Sequence, residues 1–469
     1  MRSKYRFFTF LITAILFTLT FSGCSFSELY NSAGKALGLS MNPEEQDDSK
    51  VEIEYYEYKS DDRKNITDSD EIVAREEQHE DSVPEEIEEV EEEPLYVEIY
   101  DDNTKTYSKE AASPEQVTIS FAGDVTLAEG TSVLSQVRSR DNNMQNCFEE
   151  KLLNLMQSSD IFMVNNEFPY STGGSPRVGK TYTFRANPDD APQIKSIGAD
   201  LVSLANNHSY DYGPDALIDT LATLRYHKLP FVGAGENIEE ASKPAYFIVN
   251  GKTIAFISAT QIEGYSNPDT KEATETSPGV LRCLDTTRIK TIITEAKKKS
   301  DFVICFIHWG QECTDVITDW QRRGATDMVE AGADLIIGGH SHCLQGIDYI
   351  EGVPVCYSLG NYLFNSKTLD TCLITATLDT SSDKVSLSSL QFVPCIQSGW
   401  TTSVADASNA ARILQYEQSI SFHAKLDNQG FITYSEANLN TQNGRNTSPT
   451  RRQAVPSPEA EAEEGTSEQ

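Results

Sequence analysis

From Val117 to Gly360 the chain repeats one pattern, in which a short run rich in Val, Ile and Phe is followed by a longer amphipathic stretch. The runs are VTISFAG (117–123), IFMVN (161–165), DLVSLAN (200–206), TIAFIS (253–258), FVICFIH (302–308), DLIIGG (334–339) and PVCYSLG (354–360). Apolar runs this short read as buried strands. The stretches 148–157, 214–226, 287–299 and 319–331 carry apolar residues at helical spacing, with Lys, Arg, Asp and Glu between them, as surface helices do. Strand-helix alternation implies an α/β domain. Two late runs, CLITATL (372–378) and VSLSSLQFVPC (385–395), lack a clear helix between them and are expected to be antiparallel strands that close the fold.

The ends of the chain are unlike this middle. Net charge is −34 over 469 residues, which argues against nucleic acid as a partner, because such a surface must supply Lys and Arg. Much of the charge lies between Glu44 and Glu93, a stretch closing with EEIEEVEEE, where mutual repulsion favours an extended spacer. Before it, Arg2, Lys4 and Arg6 precede an apolar run from Phe7 to Phe21, the charge order of a secretory signal and short for a membrane span. The run ends Phe21-Ser22-Gly23-Cys24, which resembles a bacterial lipobox and implies lipidation at Cys24. The alternative is an uncleaved N-terminal anchor; both put the rest outside the cytoplasmic membrane. Residues beyond 440 lack the apolar groups needed to offset ordering entropy. The expected organisation is therefore a signal peptide (1–24), an acidic, largely disordered spacer (25–110), one domain (111–440) and a disordered tail (441–469). Eight cysteines follow Cys24; an exported chain permits disulfides, but Cys305 and Cys356 lie in apolar runs where a thiol behaves as a small hydrophobe, and no particular bridge is expected.

In α/β folds functional groups gather just past the carboxyl ends of strands, and this chain places its unusual residues there repeatedly. Asp124 follows the first run, Asn165 and Glu167 the second, Asn206, Asn207 and His208 the third. His308 and Glu312 follow FVICFI, His340 and His342 follow DLIIGG, and Asn361 follows VCYSLG. Taken singly, Gly123-Asp124 reads equally as a turn or cap, Asn206-Asn207 as a turn, Glu167 as a solvated loop carboxylate and His308 as a packed ring. Together they are harder to dismiss, since four of the seven histidines fall at strand ends. Imidazoles with carboxylates and an amide oxygen suit Zn, Mn or Fe better than a hard cation. The pool of Asp124, Glu167, Asn207, His308, His340 and His342 exceeds what one tetrahedral ion needs, so two divalent transition-metal ions sharing a carboxylate are expected. Such a pair supplies hydroxide at neutral pH. His208, beside Asn207, is placed to give a proton to a leaving oxygen, with Asp211 fixing its tautomer. Arg185, in TYTFRANP, offers a fork for a phosphate or carboxylate, though a surface arginine fits the sequence as well.

The series GDVTL, NNEFP, FRANP, SLANNHSYDYG, HWGQE, GADLIIGGHSHCLQG and YSLGNYLF, from about Val117 to Phe364, resembles the CapA-type poly-gamma-glutamate capsule synthesis family in order and spacing. That family is similar in turn to the calcineurin-like metallophosphoesterases, so the resemblance implies a four-layer αββα sandwich with a dinuclear site. By position it makes Asp124 the first acidic ligand, Glu167 the bridging acid, Asn207 the amide ligand, His308, His340 and His342 the imidazole ligands, and His208 the proton donor; Asn165 and Asn361, with Arg185, are expected at the substrate. The chain departs from the phosphoesterase pattern at Asp124-Val125-Thr126, where Asp-x-His is the rule, and Glu167 is longer than the usual bridging Asp. Implied biology is the synthesis, export or anchoring of an anionic surface polymer at a lipid-anchored site, with other membrane proteins of capsule synthesis as partners. Two functions compete: a metal-dependent hydrolase of a phosphoester or of the polymer, and a noncatalytic metal-containing component that grips the polymer.

Overall fold

The computed structural model describes residues 98–263, 270–438 and 440. The expected signal peptide, Cys24, nearly all of the acidic spacer and the tail from 441 lie outside the described residues.

Two eight-stranded sheets dominate. One runs, in spatial order, Tyr100–Asp101, Thr106–Ser108, Ala245–Val249, Lys252–Thr260, Phe302–His308, Leu335–Gly339, Val353–Leu359 and Leu344–Ile350. The other runs Thr401–Val404, Ser386–Ser398, Leu369–Asp379, Gln116–Val125, Ile161–Asn166, Leu201–Ser203 and Phe231–Val232, with Asn361–Leu363 also paired to Gln116–Val125. Each sheet has a parallel heart, because the connections there pass through helices. The late runs form antiparallel strands as expected, with Leu369–Asp379 lying directly against Gln116–Val125.

Side-chain alternation along the strands sets the layers. Ile254, Phe256, Ile304 and Phe306 from the first sheet meet Val117, Ile119, Phe121, Ile161 and Met163 from the second in one core between the sheets. Their neighbours point the other way. Ala255, Ile257, Val303, Cys305 and Ile307 pack with Ile289, Ile293, Ala325 and Met328 of helices Thr287–Lys297 and Asp319–Ala331. Phe162 and Val164 pack with Leu152, Met156, Leu217, Leu221 and Leu224 of helices Glu150–Gln157 and Gly213–Tyr226. The result is the four-layer αββα order, and each fully buried Phe, Ile, Leu or Val contributes roughly 1.5–3 kcal/mol to it.

Helix ends follow their local chemistry. Asp319–Ala331 starts at a capping box in which Thr318 and Gln321 satisfy each other's backbone amides, and stops at Gly332 in the left-handed region, φ 111°. The domain begins earlier than the boundary expected at 111: Thr106–Ser108 adds a parallel strand beside Ala245–Val249, with Tyr107 buried. Only one residue of that strand faces the core, which is why its sequence reads as spacer. Among the described residues, no helix is long and apolar enough to cross a membrane.

Candidate metal centre

The parallel strands of both sheets end on the same side, and strand register delivers the polar residues there. Asp124 lies opposite Asn165 in the ladder and opposite Asn361 on its other side. His308 ends its strand opposite Gly339, one residue before His340. Joining the two sheets at this edge requires close backbone approach: the Asp124 amide donates to the Gly360 carbonyl at 3.0 Å, and a β-carbon on Gly123 would lie 1.9 Å from that oxygen. The turn after Leu335–Gly339 is strained, with His340 at φ 94° and His342 at φ 57°. Non-glycine residues resist this region, and here it turns the His342 ring toward Asp124 and the His340 ring toward His308. His342 Nδ1 lies 3.1 Å from Asp124 Oδ2 and 2.8 Å from Asn361 Oδ1, while the His340 amide donates to Asp124 Oδ2 at 3.3 Å.

Two donor sets emerge, Glu167 with His308 and His340, and Asp124 with Glu167 and His342; within each, the ligand atoms lie within 4.8 Å of one another. Glu167 belongs to both. Asn207 joins the first set, its Oδ1 2.8 Å from His308 Nε2, which is itself 3.0 Å from His340 Nδ1. Ligands about 2.1 Å from a shared ion stand roughly 3.0–3.4 Å apart, so this spacing is that of a coordination shell. A second observation tests the fit. Glu167 is fully buried, and its Oε1 has no hydrogen-bond partner; it faces His208 Nε2 and His308 Nε2, each at 3.8 Å. A buried carboxylate oxygen left bare is costly, and a cation between the two donor sets removes the cost. The residues fit a divalent-cation site in which Glu167 is common to both donor sets.

Electrostatics agree with that assignment. Burial, then the neighbouring Asp124 charge, pushes the Glu167 carboxyl well above its ordinary range, the state expected of two carboxylates crowded without a counter-charge. Burial drives His308 far down and His340 down to about 3, each helped by neighbouring imidazoles, so both present neutral, ligand-competent rings. At Asp124 burial opposes ionisation, but hydrogen bonds from His342 and Asn165 prevail and hold it low. His342 is correspondingly held above its ordinary value by Asp124 against the effect of burial.

Beside the first set, His208 Nδ1 lies 2.6 Å from Asp211 Oδ2, leaving Nε2 toward Glu167. Phe184 stacks on one face of the ring, with 4.1 Å between centroids. Asp211 also accepts from the Phe184 amide at 2.8 Å and from Lys180 Nζ at 2.6 Å. Lys180 and Phe184 were not foreseen from the sequence: neither sits at a strand end, and only the GKTYTF segment preceding Arg185 hints at them. Asn165 and Asn361, expected at the substrate, are buried among the ligands instead. The Asn165 amide reaches Asp124 Oδ1 at 2.8 Å and Glu167 Oε2 at 3.1 Å, and is held in turn by Asn206. Arg185 is engaged with Glu129 at 3.1 Å, with the Gly173 carbonyl and with the Tyr212 ring.

The sequence pattern of the family described as "Bacterial capsule synthesis protein PGA_cap" matches residues 118–366, just over half of the chain and the whole of the metal centre. The chain belongs to this family. It is similar to the "PGA biosynthesis protein CapA" of Bacillus subtilis (strain 168), 32% identical over 58% of this chain and 68% of that one. It also resembles the "Capsule biosynthesis protein CapA" of Bacillus anthracis, 31% identical over 47% of this chain and 54% of that one, so it spans only about half of the second relative. A solved Staphylococcus aureus protein, provisionally described as a 5'-nucleotidase and bound to alpha-ketoglutarate, overlaps 60% of this chain and 54% of its own at 18% identity and TM-score 0.36. That overlap bears on neither substrate nor mechanism. Against the phosphoesterase pattern, position 126 holds a buried threonine whose Oγ1 accepts from the Ala128 amide at 3.3 Å, so the second donor set has one imidazole, His342.

Proposed function

We propose that this protein is a metal-dependent hydrolase acting on an anionic capsule polymer of poly-gamma-glutamate type, or on a phosphoester intermediate, during its synthesis, export or anchoring. The reading includes an extracytoplasmic position with a lipid anchor at Cys24, and partnership with other membrane proteins of capsule synthesis. Its main support is the bare, buried Glu167 Oε1 at the junction of two donor sets, next to the His208–Asp211 pair.

Bound divalent ions, of Mn, Fe or Zn type, would supply Lewis acidity and an activated water. The chain's own residues do the rest. Glu167 belongs to both donor sets, and Asp124 with His342 and Asn207 with His308 and His340 complete them. Asp211 accepts from His208 Nδ1–H, which fixes the ring and stabilises the imidazolium form, in which Nε2 also carries a proton and faces the site. Nε2 then delivers that proton to the oxygen or nitrogen leaving the cleaved bond. Phe184 stacks on the ring and shields it from water, and Lys180 keeps Asp211 in position.

Incubation of the purified protein with Mn or Zn and a panel of phosphomonoesters, phosphodiesters and gamma-glutamyl chains tests this. Turnover of at least one class is expected, and His208→Ala should lower it by roughly 10²–10⁴ without loss of bound metal. Undiminished turnover in the variant removes His208 from the mechanism. A second reading, a noncatalytic grip on the polymer, draws support from the threonine at position 126, and it is the outcome if polymer binds equally to both proteins and nothing is cleaved.

A further inference from the structure

Of the eight described cysteines, Cys147, Cys283, Cys305, Cys356, Cys372 and Cys395 are buried, whereas Cys313 is exposed and Cys343 partly so. The fold brings the segments that carry these two together from different strand ends. The Cys313 amide donates to the Ser341 carbonyl at 2.8 Å, which lays the loop after Phe302–His308 along the turn that carries His340 and His342. Cys343 is two positions further on, beyond the left-handed His342 that curls the chain back, φ 57°, and its Sγ stays 3.8 Å from Ser341 Oγ. The two thiols are near enough to act on each other electrostatically.

The geometry points to a reversible disulfide between Cys313 and Cys343 that clips the Glu312 loop onto the metal-binding turn. Its formation is ordinary thiol-disulfide exchange. The exposed Cys313 thiolate attacks one sulfur of an external low-molecular-weight disulfide and expels one thiol. Cys343 sulfur then attacks Cys313 sulfur in the mixed disulfide and expels the second. Two protein thiols are oxidised by two electrons, the external disulfide is reduced to two thiols, and the two protons pass to the leaving groups. The clip matters for the site because Glu312 is close enough for its charge to act on Glu167 and His342, so it ties an acidic group and a metal ligand to one constrained segment. Neither the hydrolytic nor the gripping reading is required for it.

Peptide mapping by mass spectrometry of the full-length protein, metal-loaded and equilibrated with glutathione disulfide, tests the proposal. A cross-linked peptide pair containing Cys313 and Cys343 is expected, with two fewer free thiols, full reversal by dithiothreitol, and a melting temperature higher by roughly 5 °C for the closed loop of about thirty residues. Cys313→Ser and Cys343→Ser should each abolish the cross-link and the shift. Glutathione retained on Cys313 without transfer to Cys343, an unchanged thiol count, or a bridge through any other cysteine overturns the proposal.

Discussion

Replacing Glu167 with glutamine should change stability in opposite directions with and without metal. In the metal-free protein, burial and Asp124 hold the Glu167 carboxyl well above its ordinary value of 4.5. The folded chain therefore keeps a proton that the unfolded chain has released. The stability associated with that protonated group is fully present below the ordinary glutamate range and is lost as pH rises from there through the folded value. Glutamine has no such loss, so metal-free Glu167→Gln should be the more stable protein at neutral pH and the two should converge in acid. Metal reverses the order. For a described domain of roughly 340 residues, an unfolding entropy of about 2.1 cal/mol/K per residue makes each kcal/mol worth roughly 1.4 °C. Ion at a hundred times its dissociation constant stabilises the native protein by about 2.7 kcal/mol, or roughly 4 °C. If the amide weakens the shared ligand position by about a hundredfold, the variant is half saturated under the same conditions and gains about 0.4 kcal/mol, less than 1 °C. Thermal unfolding of both proteins in chelator and in excess Mn or Zn, from pH 5 to 8, measures the crossing. Equal gains from metal in the two proteins, or a metal-free wild type that is the more stable at neutral pH, would show that Glu167 is not shared by two cations.

Asp211→Asn should leave metal content unchanged and lower turnover by roughly a hundredfold, because an amide can hold His208 Nδ1 in the wrong tautomer; equal kcat in variant and wild type would remove Asp211 from the reaction. Calorimetric titration of metal should resolve two steps, one lost in His340→Ala and the other in His342→Ala, since the two rings belong to different donor sets; loss of the same step in both variants would merge the sites. Gly123→Ala puts a methyl carbon 1.9 Å from the Gly360 carbonyl oxygen, so a destabilisation of about 1–3 kcal/mol together with weakened metal binding is expected in denaturant melts. Unaltered stability would mean that the two sheets can separate at this edge without cost.

The cluster of candidate ligands could be picked out in the sequence because each member stands one or a few residues past an apolar run. Register then does the convergence: Asn361 beside Asp124, Asp124 beside Asn165 and His308 beside Gly339 are consequences of parallel pairing between runs whose lengths can be counted. What could not be read was the role of the amides. Asn165 lies at a strand end like the candidate ligands, and only burial and its contacts to Asp124 and Glu167 reveal a brace. Lys180 and Phe184 come from an irregular segment between the second and third strands, with no period to place them, yet they surround Asp211 and His208. The strand Thr106–Ser108 was missed for a related reason, since it buries only Tyr107, and helix Ala407–Ile420 was not anticipated either.

The threonine at position 126 matters less to the site than its sequence pattern implies, because donor chemistry is distributed unevenly. One donor set combines Glu167 with two neutral imidazoles and the Asn207 amide, a shell rich in nitrogen that suits a borderline ion. The other combines two carboxylates with the single ring of His342, and a second acid makes up in charge for the imidazole it lacks. Both sets meet at Glu167, whose greater length relative to an aspartate lets one oxygen accept from Asn165 while the other stays bare. An acid fixed on one side by an amide and open on the other is shaped to serve both donor sets, so the departures at positions 126 and 167 are parts of one arrangement: fewer neutral donors in one set, and a longer carboxylate common to the two.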